Sequence, residues 1–582
     1  MKTIVNFFKN LPEWAFLLIY LGALFMYKAI IGLQGLDMCD EGWMLSGYQQ
    51  IFNDPASCEY QFLYYNTLLV GGAWNALFGA WGIYGFRICE AICATLTAYI
   101  VYRLLRKDIN RWCILIGVFL FNIDYVLVIH YNSLTALVIS LAVLGLYQGL
   151  TKVNKWYMLL AGLLVGLNIF TRLPNIALCS LVLVFIPFYL YTRNGRQTLS
   201  LVSMALLGVL LGVAIEIGLM CALGHWSLFI DNISSGLSAA SAGDSSHSVS
   251  RFLGVYINNY KVIGTLAAFI ISIPLILYAV RKLSPYKKIY NAAIIIGSVL
   301  YFSLVWQIVR YNFTMYAMCY PIFFAYLLKF PNDSRRVLLI SIAIIILLFL
   351  PFGSDGGIAT MECGSMLWIA VPLAIGVFYE LAKSLSISSQ KLACVMASVF
   401  VIAFASKALY NTSLMCYFDS GSRLKKTARA ETALATIYTT DFKAAQLDTL
   451  MLHLEPLIQR DDYLLCFQSV PMVNYLTETR PYLGNSWPWT YDSDNMERLF
   501  IKAKSTIPTL PVIVRNKSEV ATWYRHSEDW DNVNSGSWCV TSHKIELIQN
   551  FIRDNGYTIH WENDLFQILV PSTAINEKCV VK

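Results

Sequence analysis

Three carboxylates stand close together near the N-terminus, in the stretch DMCDEGWMLSGY that begins at Asp37. Asp37, Asp40 and Glu41 follow a long apolar run, so they are expected beside a low-dielectric surface that raises carboxyl pKa values. A carboxylate with a raised pKa can accept a proton from a substrate hydroxyl near neutral pH. Asp40 is therefore a candidate general base, and Asp37 is a candidate contact for the acceptor. The alternative is that the Asp-Glu pair caps a helix starting at Trp43.

Three arginines fall at membrane depth on the side of the chain that otherwise avoids positive charge. They are Arg87, Arg172 in FTRLPN and Arg310 in VRYNF. A guanidinium group binds phosphate through two parallel N–H donors, and an anionic leaving group at the outer leaflet needs such partners. These arginines are therefore predicted to bind a phosphate. The alternative for each is that its side chain reaches toward lipid headgroups.

Two further stretches carry candidate substrate residues. PFGSDGG, residues 351–357, places Asp355 in an irregular glycine-rich backbone, a pattern that is also typical of a tight turn. TRPYLGNSWPWTYDSD, residues 479–494, carries Trp487 and Trp489, whose rings could stack on sugar faces. The same aromatic residues suit a packed loop that docks onto the membrane domain, because Trp and Tyr favour interfaces. Both interpretations of this loop stay open.

The elements that must position these residues are mostly membrane helices. The chain has 57% hydrophobic and 14% charged residues, whereas soluble domains carry about 25% charged residues, and its mean hydropathy is +0.56. Apolar runs of about 17 to 25 residues can cross a hydrocarbon core of about 30 Å. Such runs predict thirteen spans, near residues 14–34, 85–105, 112–130, 133–150, 156–171, 175–191, 199–222, 262–280, 289–308, 313–328, 337–352, 366–383 and 392–410.

The connection between the first two spans, residues 35–84, is too long for a plain turn. It contains two predicted helices, from Trp43 to Phe52 and from Tyr64 to Phe78. The second helix is apolar but ends at a glycine-rich stretch, so we expect it to lie along the membrane surface or dip into it.

The composition changes beyond Asn411. Strand-like YLLCF (463–467), PVIVR (511–515) and LFQILV (565–570) alternate there with helix-like stretches at 427–458 and 543–555. The sequence therefore predicts a polytopic α-helical membrane domain, residues 1–410, followed by a soluble α/β domain, residues 411–582.

Lysine and arginine are concentrated in one set of alternate connections, which predicts that this set is cytoplasmic. The N-terminus is therefore expected inside and the C-terminal domain outside, although Arg423, Lys425, Lys426 and Arg429 closely follow the last span. The loops account for the net charge of +7, so nucleic-acid binding gains little support.

The fourteen cysteines show no CxxC or Cys/His metal spacing. Several lie within apolar runs and are expected to be small core residues. Cys39 and Cys58 flank one polar segment and could form a disulfide in an oxidising compartment.

The first hundred residues resemble the GT-C membrane glycosyltransferases. The matching features are DEGWMLSGYQQIF after a first span, an apolar re-entrant helix ending LFG, and GFRICEAI opening the next span. Within that superfamily the pattern is similar to the branch of protein O-mannosyltransferases and lipid A aminoarabinose transferases, over residues 10–410. The resemblance implies an inverting transfer of a sugar from a polyprenyl-phosphate donor to a hydroxyl of a glycan, lipid or protein. It also implies that Asp40 deprotonates or orients the acceptor hydroxyl with support from Glu41, and it matches Arg87 to the family's arginine at the second span.

Metal dependence stays open. Some GT-C relatives hold a divalent metal with outer carboxylates, and Asp37 with Asp40 could supply ligands, but the first loop has no Asp-x-Asp pair. We therefore expect that no cofactor is required. The expected location is the bacterial inner (plasma) membrane. The alternative function is a transporter or flippase of lipid-linked sugars, which predicts inverted repeats and paired broken helices that the sequence does not show.

Overall fold

The computed structural model describes residues 11–123, 126–241, 249–283, 287–309, 311–351, 357–359, 367–419, 421–467, 470–517 and 542–572. The part up to Leu414 is helical. Its helices are α1 (Glu13–Ile31), α2 (Asp40–Gln50), α3 (Tyr65–Phe78), α4 (Gly82–Leu105), α5 (Arg111–Asn122), α6 (Tyr131–Lys152), α7 (Lys155–Thr171), α8 (Phe185–Thr192), α9 (Gly195–Ala222), α10 (Trp226–Ser241), α11 (Val249–Leu283), α12 (Lys287–Ile308), α13 (Tyr311–Lys329), α14 (Ser334–Phe349), α15 (Leu367–Lys383) and α16 (Ile387–Leu414). Short 3-10 stretches at Pro55–Tyr64, Gly79–Trp81, Leu173–Val184 and Gly357–Ala359 connect some of these helices.

Many of these helices could cross a membrane. Eight stretches of the described residues are long and apolar enough: Glu13–Ile31, Pro55–Leu105, Tyr131–Lys152, Leu173–Thr192, Gly195–Ala222, Leu253–Lys282, Lys288–Ile308 and Ile387–Leu414. The helices α5 and α7 are apolar but shorter. The prediction of a polytopic α-helical membrane protein is confirmed, whereas the count of thirteen spans is not.

The span predicted near 112–130 is shorter than expected, because α5 ends at Asn122. The chain beyond it bonds to the first loop and to α4 instead of continuing the helix. The backbone N–H of Val128 donates to the Glu41 carboxylate at 2.8 Å, and the N–H of Ile129 donates to the Phe86 carbonyl at 3.2 Å. An unbroken helix would use those N–H groups internally.

Glycines allow α7 and α9 to approach each other closely. Gly162 and Gly166 on α7 face Gly208 and Gly212 on α9. A Cβ atom at Gly162 would lie 1.9 Å from the Ala205 carbonyl oxygen, so a larger residue would push the two helices apart. This is the small-residue packing that brings membrane helices into contact without a hydrophobic driving force.

The C-terminal part has the predicted α/β fold. Its elements are α17 (Asp441–Leu454), β1 (Tyr463–Phe467), α18 (Met472–Leu476), β2 (Arg480–Pro481), α19 (Ser493–Thr506), β3 (Val512–Asn516), α20 (Ser542–Asp554), β4 (Tyr557–Glu562) and β5 (Phe566–Pro571). The sheet order is β2-β1-β3-β5-β4. The strand β1 pairs in parallel with β2 and β3, whereas β5 pairs antiparallel with β3 and β4. The helix predicted over 427–458 is shorter and begins at Asp441. Before it, Ala428 and Thr439 pair with each other, and Tyr438 bonds to Leu33 and Gly35.

The first loop packs directly on the C-terminal domain. Trp43 and Tyr48 of α2 share one hydrophobic core with Val473 and Tyr475 of α18. The backbones meet at Gly42, where a Cβ atom would lie 2.1 Å from the Met472 nitrogen. The helix that follows the carboxylates is therefore held by both parts of the chain.

Candidate functional site

Asp37 caps the helix that carries the other two carboxylates. Its Oδ1 accepts the N–H of Cys39 at 2.7 Å and its Oδ2 accepts the N–H of Glu41 at 2.9 Å. Asp37 is fully buried, and burial raises its pKa, as do the neighbouring Asp40 and Glu41 carboxylates. The helix begins at Asp40, three residues before the predicted start at Trp43. The capping role considered for the Asp-Glu pair is therefore performed by Asp37.

Glu41 forms a buried ion pair with Arg87 at the start of α4. The Arg87 Nε donates to Oε1 at 2.9 Å and Nη2 donates to Oε2 at 2.6 Å. The side chains are 3% and 1% exposed, respectively. This bidentate geometry is the strongest form of carboxylate recognition by arginine.

The remaining Arg87 donors bind the backbone that leads to the carboxylates. Nη1 donates to the carbonyls of Gly32 at 2.9 Å and Gln34 at 3.0 Å, and Nη2 donates to the carbonyl of Gly35 at 2.5 Å. Arginine has five N–H donors, so in this state each has a protein acceptor. The phosphate-binding role of Arg87 stays a prediction, and the geometry seen here is that of a strut between α4 and the first loop.

Asp40 differs from its two neighbours because it is only half-buried. Its Oδ2 accepts a hydrogen bond of 2.5 Å from the hydroxyl of Tyr417, which follows the last membrane helix. Burial and the nearby Asp40 carboxylate raise the pKa of Tyr417, so the phenol keeps its proton and acts as the donor. Among the three acidic residues, Asp40 is the one that keeps partial exposure.

Arg172 lies at the end of α7 and is 3% exposed. Its guanidinium carbon is 5.9 Å from the centre of the Tyr131 ring. Tyr131 stacks on Tyr64 with ring centres 4.3 Å apart, and Tyr64 meets Trp43 edge to face at 5.6 Å. A row of aromatic rings therefore joins Arg172 to the helix of the carboxylates. Its phosphate-binding role stays a prediction. Arg310 and Asp355 lie outside the described residues.

The loop of Trp487 and Trp489 packs against the first loop. Trp43 Nε1 donates to Asn485 Oδ1 at 2.9 Å, and the hydroxyls of Ser46 and Ser486 are 2.6 Å apart. Trp489 is 1% exposed, so its ring faces cannot stack on a sugar in this conformation. Trp487 is partly buried and packs against the same core as the first loop. The geometry matches the packed-loop interpretation.

Comparison with known proteins bears on the membrane part. Residues 70–219 match the family model described as dolichyl-phosphate-mannose-protein mannosyltransferase. The resemblance to GT-C membrane glycosyltransferases is confirmed. The match supports a glycosyltransferase of GT-C type, and it spans roughly a quarter of the chain. Among curated proteins, none matches the chain.

One solved structure that aligns with the chain is the crystal structure of an oligosaccharyltransferase from Archaeoglobus fulgidus in the apo form. The two chains are 12% identical, and the alignment covers 86% of this chain and 70% of that one, with a TM-score of 0.34. At this TM-score the likeness carries no argument.

The matched residues, 70–219, include Arg87 and Arg172. They do not include Tyr417, whose hydroxyl bonds to Asp40. Sequence reasoning missed Tyr417 and the buried Asp419 two residues later. The stretch YFDSGSRLKK, residues 417–426, directly follows the last span. Its positive charge enters the prediction of orientation, but its tyrosine and aspartate do not enter the prediction of the site.

Two chemical expectations concern metals and disulfides. Among the described residues, no group of three or more His, Cys, Asp and Glu side chains converges to hold a metal ion. Metal dependence therefore stays open. Cys39 and Cys58 are both buried, and their sulfurs are not bonded to each other.

Proposed function

We propose that this protein is an inverting glycosyltransferase that moves a sugar from a polyprenyl-phosphate donor to a hydroxyl of a glycan, lipid or protein. The observation that carries the proposal is the division among the three carboxylates. Asp37 and Glu41 are buried and engaged by backbone N–H groups and Arg87, whereas Asp40 is half-buried. Asp40 is therefore the carboxylate of the three that we assign to the acceptor hydroxyl.

In the proposed reaction, Asp40 takes the proton of the acceptor hydroxyl as the oxygen attacks the anomeric carbon. The bond from that carbon to the donor phosphate breaks on the opposite face, and polyprenyl phosphate leaves with the electron pair. Negative charge grows on the phosphate oxygens, and a guanidinium group there would stabilise it. Arg87, Arg172 and Arg310 stay the candidates for this role, and Arg87 is paired with Glu41 in this structure. No step requires a metal, so we propose that none is needed.

We propose that the reaction occurs at the outer face of a bacterial inner (plasma) membrane. The lysine- and arginine-rich connections favour a cytoplasmic N-terminus, so we propose that the first loop lies on the opposite side, together with the C-terminal domain that packs on it. A family described by its dolichyl-phosphate-mannose donor supports a lipid-linked sugar as substrate.

The test is donor turnover by purified wild-type, Asp40→Asn and Asp441→Asn proteins incubated with a membrane lipid extract. Mass spectrometry follows the loss of polyprenyl-phosphate sugars and the release of polyprenyl phosphate. Asp441 is an exposed carboxylate at the start of α17 and serves as the matched control. We expect turnover by wild type and the control, and a loss of about 10²- to 10⁴-fold in Asp40→Asn. Donor that stays chemically intact but moves between leaflets of vesicles would instead identify a flippase.

A further inference from the structure

The segment after the last membrane helix wraps around the backbone that leads to the carboxylates. We call residues 415–419 and 421–439 the clasp. The N–H of Gly35 donates to the Tyr438 carbonyl and the N–H of Tyr438 donates to the Leu33 carbonyl, both at 2.8 Å. Gln34 Nε2 donates to the carbonyl of Lys426 at 3.0 Å, and Arg423 Nη1 donates to the carbonyl of Ile31 at 2.9 Å. The clasp therefore fixes the first loop from the end of α1 onward.

Asp419 anchors the clasp through a buried cluster of charges. Its Oδ2 accepts the N–H of Leu36 at 2.8 Å and the hydroxyl of Thr439 at 2.9 Å. Its Oδ1 lies 2.5 Å from Lys443 Nζ and 3.0 Å from Lys426 Nζ. Burial lowers the pKa of Lys443, whereas the Asp419 carboxylate beside it raises that pKa. A buried carboxylate with four donors is held rigidly.

The chain turns sharply between Asp419 and the residue that reaches the site. Phe418 has a φ angle of +43°, a left-handed conformation that is unfavourable for a bulky residue. This turn sends Asp419 toward the lysines and Tyr417 toward Asp40, and the rings of Tyr417 and Phe418 lie 4.4 Å apart. Strained backbone of this kind persists where the surrounding contacts impose it, often beside functional groups.

We propose that Tyr417 is a positioning residue that orients the Asp40 carboxylate for catalysis, and that the clasp holds it there. The inference rests on the proposed function, in which Asp40 is the base. A hydrogen bond donated to an ionised carboxylate favours the ionised form, so loss of the Tyr417 hydroxyl is expected to favour the protonated form of Asp40. The Asp37 carboxylate also lies close to Asp40, and a charge there opposes a charge on Asp40, whereas Glu41 is paired with Arg87.

The test compares Tyr417→Phe with wild type and with Tyr438→Phe. Tyr438 lies in the same clasp but contacts the first loop through its backbone, and its side chain is 40% exposed. For Tyr417→Phe we expect kcat to fall about 10- to 100-fold, with an unchanged KM for the donor. The acidic limb of the kcat/KM profile should move upward by about half to one pH unit. Tyr438→Phe should match wild type.

A second readout does not depend on turnover. A carbodiimide labels protonated carboxyl groups, and mass spectrometry of peptides reports the pH at which Asp40 labelling is half complete. We expect that pH to rise in Tyr417→Phe and not in Tyr438→Phe. An unchanged kcat with an unshifted labelling curve would overturn the assignment of Tyr417. A shifted labelling curve in a protein whose wild type leaves the donor intact would overturn the proposed function instead.

Discussion

Removing either partner of the buried Arg87–Glu41 pair should destabilise the protein strongly. The two side chains are 3% and 1% exposed, and Arg87 also binds three backbone carbonyls between the end of α1 and the carboxylates. Removing one partner of a buried ion pair leaves an unpaired charge and costs about 3–5 kcal/mol. We therefore expect Glu41→Gln and Arg87→Gln each to lower the free energy of unfolding by about that amount.

The double variant shows whether the stability contributions of Glu41 and Arg87 depend on each other. In Glu41→Gln/Arg87→Gln no charge stays buried without its partner, so the cost should be no larger than that of either single change. The exposed pair of Arg106 with Glu13 provides the control, with side chains 30% and 51% exposed. Glu13→Gln should cost less than about 1 kcal/mol, because exposed ion pairs contribute little.

The assay measures the free energy of unfolding of each variant by denaturant titration in bicelles, under conditions where unfolding is reversible. The donor KM is measured separately on the folded proteins. If the pair acts as a strut, we expect the stability costs of the two single changes to be non-additive, and we expect Glu41→Gln to lose turnover. Costs that add, so that the double variant loses the sum of the two single losses, would refute the reasoning. An unchanged stability with a raised donor KM in Arg87→Gln would favour direct phosphate binding.

Three other outcomes are expected. Gly208→Leu should lower the free energy of unfolding by about 1–3 kcal/mol or more, because a Cβ atom there would lie 2.2 Å from the Leu159 carbonyl oxygen. Gly218→Leu, with open space around it, should change stability little. Because burial raises the pKa of Asp37, the folded protein keeps that proton to higher pH than the unfolded chain. The free energy of unfolding should therefore fall as the pH rises from the pKa of Asp37 in the unfolded chain to its higher pKa in the folded protein. Asp37→Asn should flatten the slope of the thermal midpoint against pH. Trp489→Ala should cost about 3–5 kcal/mol, since the ring is a core residue.

Much of the fold follows from local patterns in the sequence. The strand YLLCF is found at Tyr463–Phe467 as predicted, because it is a short apolar run bounded by polar residues. The predicted helices of the first loop are present as α2 and α3. The span predicted near 112–130 fails because the chain beyond Asn122 bonds to Glu41 and Phe86. Hydropathy does not report such hydrogen-bond partners, because they are distant in sequence.

The candidate site, like the fold, could be predicted only in part from the sequence. Composition and spacing found the three carboxylates and Arg87, but their roles depend on contacts that only the fold creates. Arg87 reaches Glu41 across 46 positions, and Tyr417 reaches Asp40 across 377. No periodicity relates such residues. The distinction between a phosphate ligand and a strut, or between a sugar platform and a packed ring, therefore could not be drawn from the sequence.

Three adjacent acids beside a membrane repel one another, and the fold compensates each in a different way. Asp37 receives two backbone N–H groups and Glu41 receives a guanidinium group, and both sets of contacts hold the first loop. Asp40 receives a phenol, which can stay hydrogen-bonded to a carboxylate or to a neutral carboxyl group. In the proposed reaction, Asp40 is thus the acid of the three that could gain and lose a proton while these contacts of the first loop stay in place. That requirement, more than exposure alone, favours Asp40 over its neighbours as the base.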